Sequence, residues 1–194
     1  MNESAVSGEI RMRSGRRELV ASGEVISIGD REFRLTEVTR VMYRAAVRAN
    51  QASYTVGLAR GDQRCTFMFD AYRRGTELED AREAWTRLVA LLEATTCPRI
   101  AARLVRTIVT GGTVPFGGSP SARIDANAEG LCPHRPFAKT VPWSQITGAD
   151  TSNGQVRVWT VANGAVTRKP KMALDMFGWN AVVLPRVVAA FAAR

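Results

Sequence analysis

The stretch CTFMFDAYRRGTELEDAREAWTRLVALLEA, residues 65–94, decides how the chain folds. Its opening, Cys65-Thr66-Phe67-Met68-Phe69, is a short and very apolar run that predicts a well-buried strand. After the loop Tyr72 to Thr76 the period changes. From Glu77 to Ala94 the residues Leu78, Ala81, Trp85, Leu88, Val89, Leu91 and Leu92 recur at intervals of three and four, with charged residues at most other positions. That spacing predicts an amphipathic helix, with its acids at the N-terminus where they complement the helix dipole. Thr76 is placed to cap it, its side-chain oxygen accepting an orphaned backbone N–H.

Upstream of this stretch the pattern is one of alternation. Ile10 and Met12, Leu19 and Ala21, Val25 and Ile28, Phe33 and Leu35, Val38 and Val41, then Tyr54, Val56 and Leu58, mark successive strands. Turn-forming residues separate them at Ser14-Gly15, Ser22-Gly23, Gly29-Asp30, Arg48 to Gln51 and Gly61-Asp62. Short antiparallel strands joined by hairpins, followed by one helix, are expected.

Downstream, the same order recurs. Strand-like runs span 113–116, 122–126, 137–141, 155–161 and 171–177, with turns at Gly117-Gly118, Glu129-Gly130, Ser152 to Gly154 and Asn163-Gly164, and a helix is expected over 178–194. The segment Arg87 to Ala94 matches Arg186 to Ala193 in apolar pattern, Thr39-Arg40-Val41 matches Ser144-Gln145-Ile146, and Cys65 to Phe69 falls on Met172 to Met176. The chain therefore reads as an internal duplication of α+β class, with a first unit over 1–97, a helical connecting segment over 98–112 and a second unit over 113–194.

Charge divides along the same line. Residues 98–194 carry 12 Lys or Arg against the four acids Asp125, Glu129, Asp150 and Asp175, whereas residues 1–97 are nearly balanced. Such a field favours an anionic partner. No apolar run approaches the roughly 20 residues needed to cross a bilayer, and residues 1–15 lack the hydrophobic centre of a secretory signal. Three widely spaced cysteines, Cys65, Cys97 and Cys132, predict no disulfide framework and fit a reducing compartment. A cytoplasmic location is expected, with peripheral attachment at the inner face of the membrane as the variant.

Little in the sequence points to catalysis. The single histidine, His134, follows Cys132-Pro133 in what reads as an exposed turn, with no third group to orient it as a base. Zinc lacks paired Cys or His ligands, and Gly111-Gly112 and Gly117-Gly118 lack the Lys and Ser or Thr of a phosphate-cradling loop. Glu79 and Glu83 read as solvated partners of the helix dipole. No enzyme activity, cofactor or metal is expected.

In the second half the ordered set Val114-Pro115-Phe116-Gly117, Glu129-Gly130-Leu131, Val141-Pro142-Trp143-Ser144-Gln145-Ile146, Asn153-Gly154, Val156, Val158, Asn180-Ala181 and Leu184 resembles the bacterial pleckstrin-homology-like (PH-like) families. The likeness covers residues 110–193 and reaches the first half through the repeat. It implies two tandem PH-like units, each a bent antiparallel sheet or partial barrel capped by a C-terminal α-helix, with Trp143 as a core anchor. It also implies a binding or scaffold role, since related modules bind phosphoinositides, phosphopeptides, proline-rich segments or other proteins. For inositides the corresponding turns offer only Arg16 and Arg17, too few donors to converge on a phosphate.

Two basic groups are the candidate contacts for an anionic partner. One is Arg168, Lys169 and Lys171 on a hairpin, with Lys139 and Arg157 on neighbouring strands. The other is Arg99, Arg103 and Arg106 on a helix whose opposite face carries Ile100, Leu104 and Ile108. Another protein is the expected partner. The alternatives are an anionic membrane surface met by the Arg99 to Val109 helix, and a nucleic acid met by the basic second half.

Overall fold

The protein is described here from a computed structural model covering residues 8–118, 122–162 and 164–192. Among the described residues it is a mixed α and β structure of antiparallel sheets and two α-helices, and none of the sheets closes on itself. It divides into two compact units, 1–97 and 98–194.

In the first unit, β1 (Ile10–Ser14), β2 (Arg17–Ser22), β3 (Val25–Ile28) and β4 (Arg31–Arg34) form a four-stranded meander. Its tight turns place Gly15, Gly23 and Gly29 in the left-handed region, which a two-residue hairpin requires and glycine adopts without a Cβ clash. Alternation puts Ile10, Met12, Leu19, Ala21, Ile26, Ile28 and Phe33 in the core. A second sheet holds β5 (Arg40–Arg48), β6 (Gln51–Arg60) and β7 (Gln63–Tyr72). As the sequence predicts, Cys65, Phe67 and Phe69 on β7 are buried.

Helix α1 (Glu77–Val109) seals this interior with Trp85, Leu88 and Leu92. Trp85 lies against Tyr54, which in turn stacks on Phe69 with ring centroids 4.9 Å apart. Thr76 does not cap α1 as expected. Its hydroxyl donates to Asp80 Oδ2 at 2.8 Å, and its carbonyl accepts the N–H groups of Glu79 and Asp80.

The expected break after Ala94, with a separate connecting helix over 98–112, does not occur: α1 runs on through Pro98. Proline inside a helix costs about 3 kcal/mol, chiefly through a lost backbone bond and a clash with the preceding turn. Leu88, Leu92, Thr96, Ile100, Leu104 and Ile108, spaced by four, are all buried. Burying a large aliphatic side chain contributes about 1.5–3 kcal/mol, so Ile100, Leu104 and Ile108 together outweigh the proline.

In the second unit, β8 (Val114–Gly117), β9 (Arg123–Ala126), β10 (Gly130–Pro133) and β11 (Val141–Pro142) form another four-stranded meander. Then β12 (Ile146–Ser152) pairs with β13 (Gln155–Ala162), whose other edge carries β14 (Ala165–Val166) and β15 (Met172–Asp175). The unit ends in α2 (Leu184–Ala192), with Val187 and Val188 buried. Thus each unit presents a four-stranded meander, a second antiparallel sheet and a helix, in that order.

Three local readings are corrected. Residues 137–140 are loop rather than strand: Pro136 and Phe137 form the centre of a tight turn closed by the Ala138 N–H on the Arg135 carbonyl. Gly130 opens a strand, and the preceding turn is made by Asn127, whose Oδ1 accepts the N–H groups of Glu129 and Gly130. The final helix begins at Leu184 rather than Gly178, after a short 3-10 turn over Ala181–Val183, with Asn180 in the left-handed region. Residues 193–194 of that expectation lie outside the described residues, as does Asn163 of the expected turn. Among the described residues no helix is long and apolar enough to cross a membrane.

Candidate functional site

The second unit contains a cleft of about 820 Å³ between the loop that follows β10 and the strand β15. Its lining includes the buried apolar residues Ile124, Val141, Met172 and Leu174. Also lining it are Arg123, Arg135, Lys139 and Lys171, and among the described residues no carboxylate does so. The charge excess of the second half is therefore partly concentrated around one hollow.

The loop is shaped by its prolines. Arg135 N–H donates to the Pro133 carbonyl at 2.8 Å and Ala138 N–H to the Arg135 carbonyl at 3.1 Å, closing a β-turn with Pro136 and Phe137 at its centre. Proline suits the first central position, and the second takes a positive φ usually given to glycine. Here it is Phe137, with φ 60°, and its side chain is fully exposed. A bulky residue in that region costs on the order of 1–2 kcal/mol. The turn thus spends backbone energy to hold an aromatic ring in water at the edge of the cleft.

The candidate residues of the sequence separate into distinct places. Lys139 and Lys171 come together on the cleft, both exposed. Arg168 and Lys169 are exposed on the chain leading into β15 and do not line it. Arg157 is taken up elsewhere: its Nε donates to Asp150 Oδ1 at 2.9 Å and its guanidinium lies 5.3 Å from the centre of the Trp159 ring. With Trp159 Nε1 donating to Asp150 Oδ2 at 2.7 Å, this trio is self-contained. The Arg157 hydrogen bond, then that of Trp159, holds the Asp150 carboxyl below its ordinary range.

Arg99, Arg103 and Arg106 lie on α1, with Arg103 half-buried, and none lines the cleft. Ile100, Leu104 and Ile108 are buried, so the apolar surface on which membrane attachment by this helix depends is already covered. Arg17 donates to the Thr66 carbonyl at 3.1 Å and to Cys65 Sγ at 3.4 Å, which engages one of the two inositide candidates in the fold.

Arg135 and Phe137 were not singled out by sequence reasoning. The available signal was Pro136 followed by Phe137, since proline favours the first central position of a tight turn.

His134 has a neighbour that the sequence did not disclose. Asp125 Oδ2 lies 3.6 Å from His134 Nδ1, while its other oxygen accepts from Arg123 Nε at 2.6 Å. Cys132 pairs with Asp125 across β9 and β10. Cys132 is on a strand rather than a turn, and a third group does face the histidine. Among the described residues no cluster of three or more His, Cys, Asp or Glu suits a metal ion.

No protein-family model matches the chain, and no curated protein or solved structure matches it.

Proposed function

We propose that the protein is a non-catalytic binding or scaffold module of two PH-like units, and that the second unit recognises another protein through the cleft between the loop 134–140 and β15. The common order of elements in the two units supports the PH-like reading. The observation that carries the binding reading is the fully exposed Phe137 on a strained turn beside Arg135, Lys139 and Lys171.

Aromatic and arginine side chains are enriched in protein-binding hot spots, and aromatic rings bring a large contact area at small entropic cost. A phosphate site would instead need several donors converging on one point, whereas this cleft is lined by the apolar Ile124, Val141, Met172 and Leu174 beside its cations. The test is retention of proteins from a native extract by the full chain and by its Phe137→Asp, Lys139→Glu, Lys171→Glu triple variant. Proteins held by the first and released by the second support the reading; identical retention profiles reject it.

A further inference from the structure

We infer that the cleft takes an extended acidic segment of the partner protein, added as a strand along the open edge of β15, an inference that rests on the protein-binding reading above. In the described structure β15 pairs with β13 alone. Met176 N–H donates to the Gly154 carbonyl at 3.0 Å, and the register Gln155↔Asp175 to Val158↔Met172 continues from it. In an antiparallel ladder, backbone groups point to the two sides on alternate residues. Leu174 and Met172 therefore turn their N–H and C=O toward β13, and Ala173 between them turns its pair toward the opposite edge. Ala173 lines the cleft, and its side chain is exposed.

An unpaired edge is a template for another strand, and natural edges are commonly guarded by lysine. Lys171 and Lys139 repel a basic or identical edge but attract a carboxylate-bearing one. Among the described residues neither makes an ion pair, so their charge is available to an incoming segment. Strand addition gives affinity through the backbone and specificity through alternate side chains. Carboxylates on one side of the segment would meet the lysines, while an apolar side chain covers Phe137.

The probe is a fluorescent blocked peptide of alternating Glu and Val, about eight residues long to match an ordinary strand. A Lys and Val peptide and a backbone N-methylated Glu and Val peptide are the controls. Binding to the full chain is read by anisotropy, with the Ala173 amide followed by NMR. The expected result is binding of the acidic peptide alone, a perturbed Ala173 amide, and an affinity loss of about tenfold or more in Lys139→Glu, Lys171→Glu. Ala173→Pro should lose the peptide yet fold, because proline is tolerated on an edge where its missing N–H served no ladder.

Equal binding of the N-methylated peptide, or an unmoved Ala173 amide, overturns strand addition. Displacement of the peptide by single-stranded DNA or phosphatidylserine vesicles, without dependence on Ala173, overturns the acidic-protein assignment. If no peptide binds while extract proteins still depend on Phe137, Lys139 and Lys171, this inference fails and the protein-binding reading stands. If neither binds, both fall.

Discussion

The rings of Trp143 and Phe191 lie stacked, with centroids 4.1 Å apart and planes 9° from parallel. The same indole donates its Nε1–H to the Asn127 carbonyl at 2.9 Å. One half-buried side chain thus ties helix α2 to the turn between β9 and β10.

Replacing Trp143 should separate these two roles. Trp143→Phe keeps a ring against Phe191 and loses the hydrogen bond, at a cost of about 1 kcal/mol. Trp143→Ala loses both and should cost about 3 kcal/mol or more. Urea unfolding of the two variants checks the order; equal losses would show that stacking contributes nothing.

A close backbone crossing gives a second test. A Cβ built on Gly178 would sit 2.5 Å from Gly117 Cα, where Gly117 N–H also donates to the Trp179 carbonyl at 3.1 Å. Gly178→Ala should therefore cost about 2 kcal/mol or more, since the strand end and the approach to α2 must move apart. Gly148→Ala, with nothing within 4 Å of the new methyl, should stay within about 0.5 kcal/mol of the parent. Thermal melts of both variants make the comparison.

The Asp150 cluster predicts an acid-dependent term. Its carboxyl is held low by the Arg157 hydrogen bond and then by the Trp159 indole. A depressed folded value means that the contribution is present above the unfolded aspartate value, about 3.9, and is lost as pH falls through the folded one. Asp150→Asn should be less stable than the parent at neutral pH, and the two should converge in acid. Denaturant midpoints at the two pH values decide it; a gap that persists in acid would contradict the assignment.

At the alkaline end the first unit should respond. Burial, then the neighbouring Cys97 and the hydrogen bond to Glu93, push the Tyr43 phenol far above the ordinary tyrosine range. In the unfolded chain it ionises near pH 10, so stability should fall as pH rises beyond that point. Phenolate absorbance should gain one tyrosine on alkaline unfolding that Tyr43→Phe lacks. Ionisation of Tyr43 before unfolding would sink this prediction.

Most of the fold was legible where periodicity and burial agree. Glycine-led hairpins and the pairs Ile10 and Met12, Leu19 and Ala21 outlined the first meander, and the Trp85, Leu88, Leu92 spacing outlined α1. The continuation of α1 was hidden because Pro98 carries a strong local stop signal, which only the burial of Ile100, Leu104 and Ile108 overrides. The candidate site was half legible. Lys139 and Lys171 stand out as charges, but Phe137 looks like any strand residue until Pro136 turns it outward. The pairing of Arg157 was hidden because its partner, Asp150, lies across a hairpin whose register the sequence leaves open.

The buried row along α1 also bears on laboratory dissection of the chain. The line between the compact units falls at Cys97 and Pro98, inside one uninterrupted helix. A gene cut there would give each fragment a stump of that helix, starting or ending in mid-turn. Fragments intended for separate expression are better designed to overlap through the whole of 77–109, so that each keeps intact helix ends.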